Sequence, residues 1–153
     1  MRRRNFLRFG ATALAVSVIP VSTLSAVDFR ETSPKTWEAK SSNEAIKELY
    51  GTSDGISGVI KLKAPKLAEN GGSVPLNIKS KIDLESVSVF QDANPRSAVA
   101  VFSVLEGAVV NFDLRIKMRK TSNITVIGKG RDGKLYKTVQ EVQVSIGGCA
   151  GGS

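Results

Sequence analysis

Cys149 is the one cysteine in this chain of 153 residues, and it stands within Gly147-Gly148-Cys149-Ala150-Gly151-Gly152-Ser153. A thiolate is a strong nucleophile and a good carrier of sulfur groups, and flanking glycines remove both side-chain bulk and backbone restriction. Extended, the three residues from Ile146 to Cys149 reach about 10 Å, at about 3.3 to 3.6 Å each. Such an arm can present a cargo to a site buried in another molecule. Its glycines bring no apolar surface to offset about 1 to 2 kcal/mol per residue of backbone ordering, so residues 147–153 are expected to move freely when nothing holds them. An exposed thiol with a pKa near ~8.5 is only a few per cent thiolate at neutral pH, so activation is expected from the partner's site.

Other chemistry is thinly provided. The chain has no histidine, so it cannot form a Cys-His or Ser-His-Asp pair or offer imidazole to a metal. Asp83 and Glu85 are the closest acids in the strand-rich region and read as solvated surface. Gly71-Gly72 in "AENGGSV" is a polar turn before a strand, with no helix behind it to cradle a phosphate. We therefore expect no catalytic site, no metal and no bound cofactor in this chain. A lone cysteine in an exported protein points either to an intermolecular bond or to a thiol kept for chemistry. Cys149 fits neither the bacterial lipid-anchor position nor the prenylation position. Three uses stay open on spacing alone: a covalent carrier, a β-sandwich binding module that dimerises through a tail disulfide, and an idle thiol.

The other end reads as an address. "MRRRNFLRFGATALAVSVIPVSTLSA" has a basic start, an apolar middle and small residues before Ala26, the parts of an export signal. Arg3, Arg4, Phe6 and Leu7 resemble the pattern read by the twin-arginine (Tat) exporter, so the expected location is the periplasm. The apolar stretch from Phe9 to Leu24 contains Gly10 and Pro20 and falls short of the roughly 20 residues that cross a bilayer. The expected organisation is a signal over 1–26, a carrier domain over 27–146 and an arm over 147–153. Arg2, Arg3, Arg4 and Arg8 leave with the signal, taking the formal charge from +8 to about +4. The remaining lysines alternate with acids and apolar residues and form no block, which disfavours nucleic acid as a partner.

The domain must hold the arm's root. Ser41 with Glu44 caps a helix that Gly51 closes, with Ile46, Leu49 and Tyr50 on one face. From Gly58 the period becomes two. Strands are expected over 58–63, 74–82, 86–90, 98–105, 111–118, 123–128 and 134–146, with Asp132-Gly133 as a hairpin turn. About seven short strands behind one small helix predict an all-β, immunoglobulin-like antiparallel sandwich, with a barrel as the alternative. The run "AVAVFSV" is expected to be buried, between sheets or between subunits.

The chain resembles the SoxY family of bacterial thiosulfate oxidation. The resemblance lies in "IKLKAPKLAENGGSVPLNIKSKI", in "RIKMRKTSNITVIGKGRDGKLYKTVQEVQVSIGG" and in Gly147-Gly148-Cys149 with its following glycines. It implies a sandwich paired with a second β-protein, SoxZ, and Cys149 as the attachment point for sulfur. It further implies that a c-type cytochrome couples thiosulfate to the thiol as an S-thiosulfonate and that a manganese-dependent hydrolase releases sulfate. A molybdenum-haem dehydrogenase, where present, would oxidise the sulfane sulfur left behind. Those cofactors would belong to the partners, and this chain would carry only the covalent adduct. Ala150 departs from the family's usual glycine, adding a methyl and some stiffness just after the thiol.

Overall fold

The structure is a computed structural model that describes residues 27–146. Three short helices come first: α1 (Phe29–Thr32), α2 (Pro34–Glu38) and α3 (Ser42–Tyr50). Eight strands follow: β1 (Ile60–Lys63), β2 (Leu67–Asn70), β3 (Val74–Ser80), β4 (Leu84–Gln91), β5 (Ala98–Ser103), β6 (Val110–Ile116), β7 (Ser122–Gly130) and β8 (Leu135–Ile146). They form a three-stranded sheet in the order β1-β3-β6 and a five-stranded sheet in the order β2-β8-β7-β4-β5.

The expected β-sandwich is present because alternation puts one apolar face of each sheet toward the other. Val74, Leu76 and Ile78 of β3 and Val110 and Ile116 of β6 join Val87 and Val89 of β4 and Ile124, Val126 and Val142 in one buried cluster. Each such side chain contributes about 1.5 to 3 kcal/mol on leaving water. Strand β3 stops at Ser80, short of the expected Ile82, where the Ser80 hydroxyl accepts from the Ile82 amide at 3.3 Å and turns the chain.

Two features differ from expectation. There are three helices rather than one, and they add a third layer. Ile46 and Ala45 of α3 cover Phe90 and Ile127, which lie on the outer face of the five-stranded sheet. For that reason β4 is buried on both faces rather than one. The Tyr50 hydroxyl meets the Ser88 and Ser86 hydroxyls at 3.0 and 3.3 Å, and burial pushes its pKa above the ordinary value despite those bonds.

The second difference is β2, an unexpected short strand. It pairs parallel with β8, so the five-stranded sheet is mixed rather than antiparallel. Asp83 and Glu85 are exposed, as expected, and each also meets a cation. Asp83 meets Arg131 at 3.1 Å and Glu85 meets Lys129 at 3.2 Å. The run 98–103 is the edge strand β5, half-buried along most of its length.

Two punctuation signals act as expected. The Ser41 hydroxyl accepts from the Glu44 amide, and Gly51 closes α3 at φ 79°, a left-handed conformation that suits glycine. Glu44 reaches back to the Lys40 amide at 3.1 Å, one residue before the cap. Gly133, also at φ 79°, makes the turn between β7 and β8, where the Gly130 amide donates to the Lys134 carbonyl at 2.8 Å.

Candidate functional site

The covalent candidate Cys149, with Gly147, Gly148, Ala150, Gly151 and Gly152, lies outside the described residues, as does the export signal with Arg3, Arg4, Phe6 and Leu7. The structure defines the arm's root. Twelve-residue β8 runs between β7 and β2 and is bonded to both, its final residue Ile146 standing opposite Asn70 of β2. The first part of β8, residues 135–142, pairs with β7 and its last part, residues 143–146, with β2, so the arm starts from a stretch held by β2, at the end of the sandwich opposite the β7–β8 hairpin.

Three connections converge on that end. The turn after β2 is closed by the Asn70 side chain, whose Oδ1 accepts from the Gly72 amide at 2.7 Å. Gly71 then accepts from the Met118 amide at 2.7 Å. Met118 is 0% exposed and plugs the end of the core. The segment after β6 continues to Thr121, whose hydroxyl accepts from the Val144 amide of β8 at 2.9 Å. Residues 117–121 are thus pinned between the turn beside Ile146 and the last turn of β8's ladder.

Asn94 fixes the same segment from the other side. Its amide donates to the Lys117 carbonyl at 2.8 Å, and its oxygen accepts from the Arg119 amide at 3.1 Å. Gln91, almost wholly buried, holds the loop that carries Asn94, accepting from the Ala93 and Asn94 amides at 2.6 and 2.9 Å. That loop is tied to α3 through Ser42, whose amide donates to Asp92 at 2.6 Å and whose hydroxyl meets Ser97 at 3.0 Å. The root is held mainly by neutral side chains bonded to backbone, with the Asp92 carboxylate as the one charged tie, a route from helix to loop to strand end.

Alternation in "RIKMRK" sorts this segment. Ile116 and Met118 point into the core, while Arg115, Lys117, Arg119 and Lys120 are exposed. Arg115 donates to the Ser73 hydroxyl at 3.2 Å. Among the described residues the only ion pairs are those of Lys129 and Arg131, at the far end. The arm's root is therefore rimmed by four cations without a carboxylate in contact.

A family model described as "Sulfur oxidation protein SoxY" matches residues 46–149, so the match runs from within α3 through the whole sandwich to Cys149 itself. The chain belongs to the SoxY family. It is 38% identical to a solved structure described as the sulfur carrier protein SoxY from Chlorobium limicola f thiosulfatophilum, at TM-score 0.60, covering 67% of this chain and 94% of that one. A superoxide reductase (neelaredoxin) from Ignicoccus hospitalis is similar at 12% identity and TM-score 0.51, over 57% of this chain and 80% of that one. That second likeness speaks for the fold alone. A comparison with curated proteins found no match.

In this SoxY chain no group of three or more His, Cys, Asp or Glu residues comes together to hold a metal among the described residues. Likewise no described helix is long and apolar enough to cross a membrane. The sequence reading found the thiol and its glycines but missed the rim around their root. The signal was available: four cations within residues 115–120, no acid among them, and two apolar residues spaced to turn them outward.

Proposed function

We propose that this SoxY-family chain works in the periplasm as a covalent sulfur carrier for thiosulfate oxidation, with Cys149 as the attachment point. The observation that carries this reading is the family match reaching Cys149, three residues beyond a strand whose last stretch is paired with β2. A firm root and a short glycine-rich extension suit delivery of a small cargo into another protein's cavity.

In the proposed cycle, the Cys149 thiolate and thiosulfate join through a new S–S bond and give up two electrons to a c-type cytochrome. The product is Cys–S–S–SO3−. Hydrolysis by a manganese-dependent partner then adds water across the bond between the sulfane and sulfone sulfurs. It releases sulfate and two protons and leaves a cysteine persulfide. A molybdenum-haem dehydrogenase would oxidise the sulfane sulfur where the host has one. This chain contributes the thiol, its reach and its presentation. It is proposed to work as a heterodimer with a SoxZ-like β-protein, and to reach the periplasm through the Tat signal at Arg3-Arg4.

Intact-mass measurement of protein from thiosulfate-grown cells tests the reading. Adducts of thiosulfate-type and sulfane mass are expected at Cys149, removable by a reductant and absent from Cys149→Ser. Unmodified thiol together with a disulfide-linked homodimer would overturn the carrier reading in favour of a tail-linked module. For export, Arg3→Lys with Arg4→Lys should hold the precursor in the cytoplasm, and unchanged periplasmic yield would remove the Tat route.

A further inference from the structure

The two sides of the sandwich are finished differently. On one, the residues from Ala64 to Lys66 carry the chain directly from the three-stranded sheet to the five-stranded one. That crossing is tied to β8, where the Gln140 side chain donates to the Ala64 carbonyl and the Gln143 amide to the Lys66 carbonyl, each at 2.9 Å. On the other side lie the outer edges of β5 and β6, bridged by Phe102 and Phe112 with ring centroids 5.2 Å apart. Phe112, Leu114 and Val99 pack on the core there yet stay partly exposed. The connection between these two edges carries Leu105 and Val109, 66% and 83% exposed, more than any other large apolar residue among those described. A cluster of exposed apolar residues on one side marks a protein contact.

Sheet edges attract other strands, and proteins blunt them with charge, proline or cover. Strand β1 carries Lys61 and Lys63, β2 follows Pro65 and Lys66 and carries Glu69, and β6 carries Asp113 and Arg115. Strand β5, "AVAVFS", has no charge and no proline, and it pairs with β4 alone. Backbone covers it only at its start, where the Ser97 amide donates to the Ala39 carbonyl at 3.0 Å. The Val104 amide donates to the Glu85 carbonyl at 2.9 Å, so alternation along the ladder turns the amides and carbonyls of Val101 and Ser103 away from β4. Outward donors and acceptors on an uncharged, extended edge specify their occupant as another uncharged strand.

We propose that β5 takes up an edge strand of the companion β-protein, extending the five-stranded sheet from one chain into the other, with Leu105 and Val109 against that partner's surface. This rests on the heterodimer proposed above. A second copy of this chain suits the edge less well. Trp37, with the Arg30 guanidinium 4.5 Å over its ring, shares a shallow recess with Val101. Antiparallel self-pairing would therefore set two such helix layers, and two Arg30 side chains, over one edge. A strand with no helix above it meets no such crowding. Leu105 and Val109 follow β5 toward the hairpin end, so this contact leaves clear the end where β8 finishes.

Isothermal titration of the full processed chain, kept reduced, with the companion β-protein of the same host tests the docking edge. Val101→Pro removes an amide that faces away from β4, a place where an edge strand tolerates proline. It should weaken the complex about tenfold or more while the urea midpoint of the free chain stays near the native value. Ser103→Lys, at an exposed position, charges the edge with every amide in place and should weaken the complex severalfold. Val101→Thr keeps the amide and a branched side chain and should bind as the native chain does. In the complex, hydrogen exchange at the Val101 and Ser103 amides should slow about a hundredfold or more relative to the free chain. A complex whose edge amides still exchange freely, or one that ignores both Val101→Pro and Ser103→Lys, would overturn the docking edge and leave the heterodimer standing. No complex at all would overturn both, and the mass adducts on Cys149 would still decide the carrier reading. Concentration-dependent protection of the same amides in the chain alone would make a second copy the occupant and overturn the one proposed.

Discussion

The two ends of the sandwich handle charge in opposite ways. At the hairpin end, Arg131 meets Asp83 at 3.1 Å and donates to the Val104 carbonyl at 2.7 Å, while Lys129 meets Glu85 at 3.2 Å. Tyr136 donates to Asp132 at 2.8 Å. Cations and acids there satisfy one another. At the arm end, the ties are made by the neutral side chains of Asn70, Gln91, Asn94 and Thr121, with Asp92 accepting from the Ser42 amide as the one charged tie, and the cations of residues 115–120 face outward without acidic contacts among the described residues. Charge is used for cohesion at one end and kept available at the other. The arm leaves from the end where it is available.

The largest expected effect comes from removing what the arm end is built on. Met118 is fully buried and its amide binds Gly71, so Met118→Ala opens a cavity directly beneath the rim. It should cost about 2 to 5 kcal/mol in urea unfolding. If the loss is under about 1 kcal/mol, the core does not extend to this end as described, and the rim rests on surface ties alone.

Asn94→Ala sharpens the same contrast at a smaller scale. Two bonds are lost, but the Lys117 carbonyl and Arg119 amide can turn to water, so about 1 kcal/mol is expected. The local consequence should be larger than the global one. Amide hydrogen exchange at residues 117–121 should quicken while that of the hairpin end stays as it was. Equal quickening at both ends would show that the two ends are one cooperative unit.

The elements that were legible in the sequence are those whose local chemistry agrees with their tertiary surroundings. Ser41 and Gly51 bound α3, Asp132-Gly133 marks the hairpin, and Val74, Leu76 and Ile78 announce a strand with one buried face. Strand β2 was not legible, because it is four residues long with Ala68 alone buried, which leaves no alternation to read. Burial of β4 on both faces depends on where α3 lands, and nothing within "LESVSVFQ" states that a helix will cover Phe90. The thiol could be read from composition alone. The rim could not be linked to the strand that leads to it, since residues 115–120 and the end of β8 are brought to one end of the sandwich only through the pairing of β2, β7 and β8.

Acid should separate the two ends without mutation. The Lys134 amide, and then the Tyr136 hydroxyl, hold the Asp132 carboxyl below its ordinary pKa of 3.8. The same bond raises the Tyr136 phenol. A depressed folded-state value means that the stabilisation is complete above the unfolded pKa and is lost as pH falls through the folded one. Below about pH 4 the hairpin amides should therefore lose protection, and Asp132→Asn should remove that component of the pH profile. The arm end, tied mainly by neutral side chains and far from Asp132, should not respond to Asp132→Asn over this window. Loss of protection at residues 117–121 in step with the hairpin would break the comparison.

The smallest effect is expected from Lys129→Ala. Its pair with Glu85 is about half exposed, with side chains 39% and 51% accessible. Water and salt screen such a pair, and two long side chains must be ordered to form it, so its removal should change stability by about 0.5 kcal/mol or less. Arg131→Ala should cost more, because its guanidinium also satisfies the Val104 carbonyl. The useful reading is the order of the two in the same urea series. If Lys129→Ala proves the costlier, the hairpin end is held by charge pairing as such, and the backbone bond of Arg131 is incidental. If Arg131→Ala is costlier, both ends are held by bonds to backbone. The difference between them then lies only in whether the charge that remains is cancelled or offered to solvent.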